Sequence, residues 1–253
     1  MRTPRRSSDF GVVTVRAART CALALLVLSA AGCGGEDEAA PEQTQTAAGA
    51  AAYSAEVDHP LVPLAQVRET LFEGSETDSV SGESIETRAE KRVLAKTAVV
   101  GGITVSVVEV KEYEDGELVE RTLDYYAQRP DGSVWYVGEK VDDYEDGEIV
   151  GHEGAWQAGK DDAKPGLFMP AEPKVGQSFE QERAPGVAED RSKVIAVGVD
   201  VTTPAGSFSD CIRTEDFAPL DDITETKHYC PGVGLVREEG PGARLELVSY
   251  SQP

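Results

Sequence analysis

Three Asp-Gly pairs, at 115–116, 131–132 and 146–147, divide the middle of this 253-residue chain into segments of similar length. Asp-Gly is a strong hairpin signal because its glycine adopts a positive φ without a Cβ clash. Between the pairs, apolar and polar residues alternate, as they do over residues 103–110, and this is the period of a strand with one buried face. The pattern predicts about four antiparallel strands over residues 102–157.

Two of the pairs lie in a near-repeat, YEDGELV at 113–119 and YEDGEIV at 144–150, which raises the alternative of a calcium loop. An EF-hand requires oxygen ligands at positions 1, 3 and 5, glycine at 6 and glutamate at 12. Counted from Asp142, the second copy has Tyr144 at position 3. Counted from Lys111, the first copy has Thr122 at position 12. The repeat therefore favours hairpin turns over a metal site.

The rest of the chain continues the alternating pattern. It predicts later strands at 194–199, 207–216, 224–230, 233–238 and 243–250. Gly/Pro turns separate most of these strands. Only residues 64–71 offer a weak helical spacing. We therefore expect a single all-β domain, over residues 59–253, in which an antiparallel meander curls into a half-barrel or open barrel.

The N-terminus has a different composition. Residues 1–32 combine five arginines with a short apolar run over 22–31, which is typical of a signal peptide rather than a membrane span. The sequence LSAAGC at 28–33 resembles the lipobox of bacterial lipoproteins, and this resemblance implies a lipid on Cys33. The alternative is an ordinary secretory peptide that is cut near Gly32. Residues 33–58, acidic and rich in alanine, are predicted to be a disordered tether.

The formal net charge is −22, and removal of the basic residues 1–32 makes the remainder still more acidic. Such a surface does not bind nucleic acid, whose phosphates require a basic footprint. The predicted partners are the membrane, through the lipid on Cys33, and an unknown small ligand or envelope protein. We expect a monomer.

Two cysteines remain after Cys21 leaves with the signal peptide and Cys33 is lipidated. Cys211 and Cys230 lie on two predicted strands, on either side of a turn near 218–222, so folding the chain there places them opposite each other. In a protein outside the cytoplasm such a pair predicts a disulfide. A reactive thiol pair is the alternative, but the chain has no CxxC motif.

Motifs that would indicate enzymatic chemistry are incomplete. GAWQAGK at 154–160 has the spacing of a phosphate-binding loop, but Asp161 stands where a Ser or Thr is needed. His152-Glu153 begins like HExxH, but Trp156 occupies the place of the second histidine. No metal site, cofactor or catalytic residue is predicted, and the chain is expected not to be an enzyme.

Two functional hypotheses follow. The first is a non-enzymatic binding or scaffold module of the cell envelope. Its candidate groove on the curved sheet consists of Trp135, Trp156, Tyr126, Tyr136, Asp124, Glu139 and Glu180. Packing within the sheet is the alternative role for these aromatic residues. The second hypothesis is a hydrolase of envelope polymers that works through carboxylates, with His152 or His228.

Several sequence blocks together resemble an uncharacterised family of secreted bacterial proteins and lipoproteins. They are DYYAQ at 124–128, DGSVWYVGE at 131–139, GAWQAG at 154–159, PGLFMP at 165–170, VGQSFEQE at 175–182, AED at 188–190, PAGSF at 204–208 and YCPGVGLV at 229–236. Cys230 departs from this pattern, where a small residue such as alanine is expected. The resemblance implies a β-rich extracytoplasmic domain, and it implies no activity and no catalytic residues.

Overall fold

A computed structural model of the chain describes residues 53–78 and 80–251, and these residues form one 14-stranded antiparallel sheet without a helix. The strands are β1 Glu69–Thr77, β2 Ser84–Val100, β3 Ile103–Glu114, β4 Glu117–Gln128, β5 Val134–Glu145, β6 Glu148–Gly151, β7 Trp156–Gln157, β8 Gly166–Met169, β9 Ser178–Glu180, β10 Arg191–Thr203, β11 Gly206–Ala218, β12 Ile223–Cys230, β13 Gly234–Gly240 and β14 Ala243–Ser251. The predicted all-β class is confirmed.

Within those two ranges, no helix is long and apolar enough to cross a membrane.

The sheet consists of two meanders that meet at its centre. Strands β1 to β6 run outward in order to one edge, and β9 to β14 return from the other edge to the centre, where β14 pairs with β1. The sheet therefore has two ends and does not close into a barrel, which confirms the predicted open form. The pairing of β1 with β14 joins the first and last strands of the described chain. The local alternation of apolar and polar residues does not predict this pairing.

The segment between the meanders holds the two halves of the sheet against each other. Strands β7 and β8 pair with β5 in the first half, and the Lys164 amide then donates to the Arg183 carbonyl, beyond β9, across 3.0 Å. The Phe168 ring of β8 lies 5.0 Å from the ring of Tyr126 in the first half and 6.3 Å from that of Tyr229 in the second. The sheet is curled around these rings.

The Asp-Gly turns have the backbone conformation that their sequence predicts. Asp115 and Gly116 have φ values of 48° and 84°, and Asp146 and Gly147 have 53° and 80°. Two consecutive residues with positive φ between antiparallel strands form the turn that suits the right-handed twist of a hairpin. The near-repeat thus forms two hairpin turns, as predicted.

The predicted disulfide is present. Ile212 of β11 pairs with Tyr229 of β12, so the preceding Cys211 and the following Cys230 are opposed at a Cα–Cα distance of 4.1 Å. Both cysteines are fully buried among Phe72, Val236 and Leu247.

The N-terminal boundary of the domain differs from the prediction. The composition predicts that residues 53–58 belong to the tether, but Ser54 forms a bridge with Gln128 and Val57 lies in the hydrophobic core. This segment adds backbone pairing at the end of β4, which composition alone does not reveal. Cys33, the predicted signal peptide 1–32 and the tether up to residue 52 lie outside the described residues.

Candidate functional site

A cavity of about 90 Å³ lies between the segment 61–67 and the inward face of the sheet. The segment is attached to both halves of the fold. The His59 ring lies with Nε2 3.2 Å from the Pro170 carbonyl, beyond β8, and the Gly232 amide, between β12 and β13, donates to the Pro60 carbonyl across 2.8 Å. These bonds fix the roof of the cavity relative to its walls.

The walls of the cavity are largely apolar. They include Leu61, Val62, Phe72, Val108, Phe168 and Leu235, which come from the roof and from β1, β3, β8 and β13. Two ionisable side chains from neighbouring inward positions of the sheet also line the cavity, Lys91 of β2 and Asp124 of β4. An apolar cavity with a few polar groups is the usual form of a small-molecule site.

Lys91 is a half-buried ammonium group without a direct counter-ion. Its Nζ lies 5.1 Å from the centroid of the Phe72 ring, a cation–π distance. Among the described residues, no carboxylate lies within ion-pair distance of it. Burial lowers the pKa of Lys91 to about 8, although the more distant carboxylates of Glu238 and Asp124 oppose that shift.

Asp124 is buried on the same wall. Its Oδ1 accepts a hydrogen bond from the Tyr136 hydroxyl across 3.1 Å. Burial raises the pKa of Asp124 to about 6, and the charge of Lys91 and the bond from Tyr136 act in the opposite direction. The carboxylate is therefore ionised near neutral pH but is readily protonated below it.

The structure brings together five of the seven residues of the predicted groove. Tyr126 lines the cavity beside Asp124, and the Tyr126 and Tyr136 ring centroids are 4.9 Å apart. Trp156 stacks edge-on against Tyr136 at 5.5 Å and donates through Nε1 to Glu182 Oε1 across 3.3 Å. These aromatic rings form the buried base of the fold behind the cavity.

Glu139 is the fifth residue of this group, buried on β5 opposite Trp156 and near the Tyr126 and Tyr136 hydroxyls. The other two groove residues lie elsewhere. The Trp135 ring lies 4.1 Å from the guanidinium of Arg129 and packs near Tyr53, the first described residue. The exposed Glu180 forms an ion pair with Arg183 at 3.3 Å. They do not form one continuous surface with Tyr126.

Sequence reasoning missed Lys91, although a signal was present. It occupies the inward register of β2 between Ala89 and Val93, where a strand facing a core carries apolar residues. A lysine in an apolar register indicates a buried or functional ammonium. The length of β2 itself was also not predicted.

A second group of buried charges, which we call the Lys227 cluster, faces the cavity side from β11, β12 and β13. Lys227 Nζ lies 3.4 Å from Glu225 Oε2, 3.7 Å from Asp216 Oδ2 and 3.8 Å from Glu238 Oε1. Burial lowers the pKa of Lys227, but the three carboxylates outweigh burial and raise it well above its usual value. Ser192 donates to Asp216 Oδ1 across 2.6 Å.

The carboxyl groups around this cluster hold protons more tightly than usual. Burial raises the pKa of Glu225 to about 8 and that of Asp190 to about 7. Glu182, beneath Trp156, has its pKa raised well above the usual range for the same reason. The interior therefore contains several carboxyls whose protonation changes between pH 5 and 8.

The two histidines of the hydrolase hypothesis lie on different parts of the sheet. His152 is largely exposed after β6, with Nδ1 3.1 Å from Asp142 Oδ1. His228 is buried on β12, and desolvation together with the charge of Arg237 lowers its pKa. Neither lines the cavity. Within the described ranges no group of three or more His, Cys, Asp or Glu side chains is arranged to hold a metal ion.

Comparison with known proteins gives structural likeness at low sequence identity. No protein-family model matches the chain, and no curated protein matches it significantly. A crystal structure of a predicted exported protein with a YmcC-like fold from Bacteroides fragilis aligns with a TM-score of 0.41 and 14% identity, over 72% of this chain and 94% of that one. A predicted lipoprotein from Parabacteroides distasonis aligns with a TM-score of 0.35, 14% identity and the same coverage. Because both scores are low, the fold described above rests on the strand pairing of this chain alone.

Proposed function

We propose that this chain is a non-enzymatic binding module of the cell envelope that holds a small ligand in the cavity beneath the segment 61–67. The observation that supports the proposal is the cavity itself, which has largely apolar walls with the Lys91 ammonium and the buried Asp124 carboxylate among them. The cavity is partly open to solvent, so a bound apolar group replaces water at its apolar walls and gains contacts with their atoms.

The volume limits what enters the cavity. A cavity of about 90 Å³ is smaller than the ~150 Å³ engineered cavity that binds benzene. The buried part of the ligand is therefore a short or branched hydrocarbon portion, and any larger or more polar part extends toward solvent.

Native mass spectrometry of the protein, gently extracted from its own membranes, tests the proposal. We expect a bound organic mass that is lost on denaturation. Val93→Phe, on the inward face of β2 at the cavity wall, fills the space and abolishes the bound mass. Val99→Phe on the same strand, where the side chain is 70% exposed, is the matched control and retains it. A wild-type protein without a bound mass, or equal binding by both variants, contradicts the proposal.

The module is proposed to be anchored to the membrane by a lipid on Cys33, outside the cytoplasm. Support comes from the basic and apolar segments before the LSAAGC sequence and from the buried Cys211–Cys230 disulfide, a bond that persists in oxidising compartments. Cys33→Ser is expected to abolish incorporation of a radiolabelled fatty acid and to release the protein from the membrane fraction. Cys21→Ser is the control and leaves both unchanged. Unaltered labelling of Cys33→Ser contradicts the anchor.

A further inference from the structure

We propose that the ligand of this cavity is a small monocarboxylate, with its apolar portion between the roof and Phe72 and its carboxylate on the Lys91 ammonium. This inference rests on the proposed function, since it names the chemical class that the same cavity selects.

The first observation is the missing partner of Lys91. The chain has 46 acidic residues against 24 basic ones, so carboxylates are plentiful, yet none in the described part of the chain contacts the half-buried Lys91 ammonium. Among the described residues the nearest influences on Lys91 are the distant charges of Glu238, Asp124, Lys227 and Glu112, and none of these lies within ion-pair distance. A desolvated ammonium gains most from a carboxylate in direct contact.

The second observation concerns the other polar groups at the cavity. Tyr229 lines the wall, and its buried hydroxyl has no hydrogen-bond partner in the described part of the chain. Arg68, at the edge of the cavity, donates to the Leu64 carbonyl across 3.4 Å and has no ion pair among the described residues. Three donor groups thus surround the cavity, and a carboxylate supplies acceptors for them.

The acidic groups of the wall are already occupied or repulsive. Glu69 pairs with Arg92 at 2.9 Å, and Asp124 accepts the bond from Tyr136. A cationic ligand would have to compete with the Lys91 ammonium for the negative charges of Glu238 and Asp124. A dianion such as a phosphate monoester would be repelled by these same carboxylates, so a single negative charge fits best.

The test compares matched probes that differ only in the head group. Butanoate, hexanoate and octanoate are titrated against the corresponding primary alcohols at pH 7, with calorimetry and ligand-observed NMR. We expect the wild-type protein to bind the best carboxylate about tenfold or more tightly than its alcohol, because a charge-assisted contact contributes at least this much. Lys91→Met reduces the preference to less than about threefold, and Lys91→Arg restores most of it.

Controls distinguish this inference from the proposed function. Lys96→Met removes an exposed ammonium from the same strand and leaves the preference unchanged. If carboxylates and alcohols bind equally and both are blocked by Val93→Phe, the carboxylate inference is overturned while the cavity function stands. If no probe of either series binds, both are overturned. A preference that persists in Lys91→Met also overturns the inference.

Discussion

The Tyr136 hydroxyl donates a hydrogen bond to Asp124 Oδ1 across 3.1 Å, and this bond joins β4 and β5 inside the curled sheet. It links the aromatic residues behind the cavity to the buried carboxylate on the cavity wall. Hydrogen bonds to a buried charge are among the stronger polar contacts in a protein.

Removal of this bond is expected to destabilise the protein in a pH-dependent manner. The bond lowers the pKa of Asp124, so Tyr136→Phe raises that pKa further. The free energy of unfolding should fall by about 1.5–3 kcal/mol at pH 7.5, where Asp124 is ionised, and by less at pH 5, where it is protonated. Urea denaturation at the two pH values measures the difference. Tyr250→Phe, at a partly exposed ring, is the control, and an equal loss at both pH values contradicts the assignment.

Lys227 is expected to be essential for stability at alkaline pH. Lys227→Met leaves Asp216, Glu225 and Glu238 buried without their cation, which typically costs about 3–5 kcal/mol. The loss is smaller at pH 5 because Glu225 is then protonated. Urea midpoints at pH 8 and pH 5 test this. Lys174→Met, with a side chain 75% exposed, should change neither midpoint.

Glu225 itself should make the protein less stable as the pH rises. Its folded-state pKa of about 8 lies above the ordinary value of 4.5, so the stability it contributes is full below pH 4.5 and is lost as the pH passes through 8. Glu225→Gln removes this dependence and should gain stability relative to wild type between pH 5 and 8, by up to about 1.4 kcal/mol per pH unit.

Stability curves of the two proteins over that range provide the measurement for Glu225. Lys227 retains Asp216 and Glu238 in the variant, so folding is preserved. Glu73→Gln, at an exposed position of β1, controls for the substitution itself. Parallel curves for wild type and Glu225→Gln would argue against a raised pKa.

The Cys211–Cys230 disulfide should stabilise the fold by about 3 kcal/mol, as expected for a closed loop with a sequence separation of 19 residues. Because both cysteines are fully buried, a reductant should act only after unfolding. We therefore expect reductant to lower the urea midpoint while leaving the folded protein intact at low urea. Cys211→Ala/Cys230→Ala should reproduce the lower midpoint, and reductant should then have no further effect. An unchanged midpoint in reductant contradicts a stabilising bridge.

The local features of this fold were predictable because they arise from short-range chemistry. Asp115-Gly116 and Asp146-Gly147 require positive φ, which few other residue pairs adopt, and alternation then defines the strands on either side. The position of Cys211 opposite Cys230 followed from one turn between two strands. Each of these predictions depends on residues that are near one another in the chain.

The interior of the sheet could not be predicted in the same way. Glu225 and Lys227 alternate with Thr226 and His228, and such a segment is typical of a solvent-facing strand. They are buried because β14 pairs with β1 and Phe168 meets Tyr229, which brings distant halves of the chain together.

The amino-acid sequence by itself determined the all-β class, the hairpin turns and the disulfide, since each depends on local backbone preference or on one hairpin. Only the tertiary structure decided that Lys91 and Asp124 line the same wall of a cavity and that Lys227 lies among three carboxylates. The physical reason is that burial is a property of the whole curled sheet. The same alternation places a side chain in water or in the core, depending on which distant strands cover it.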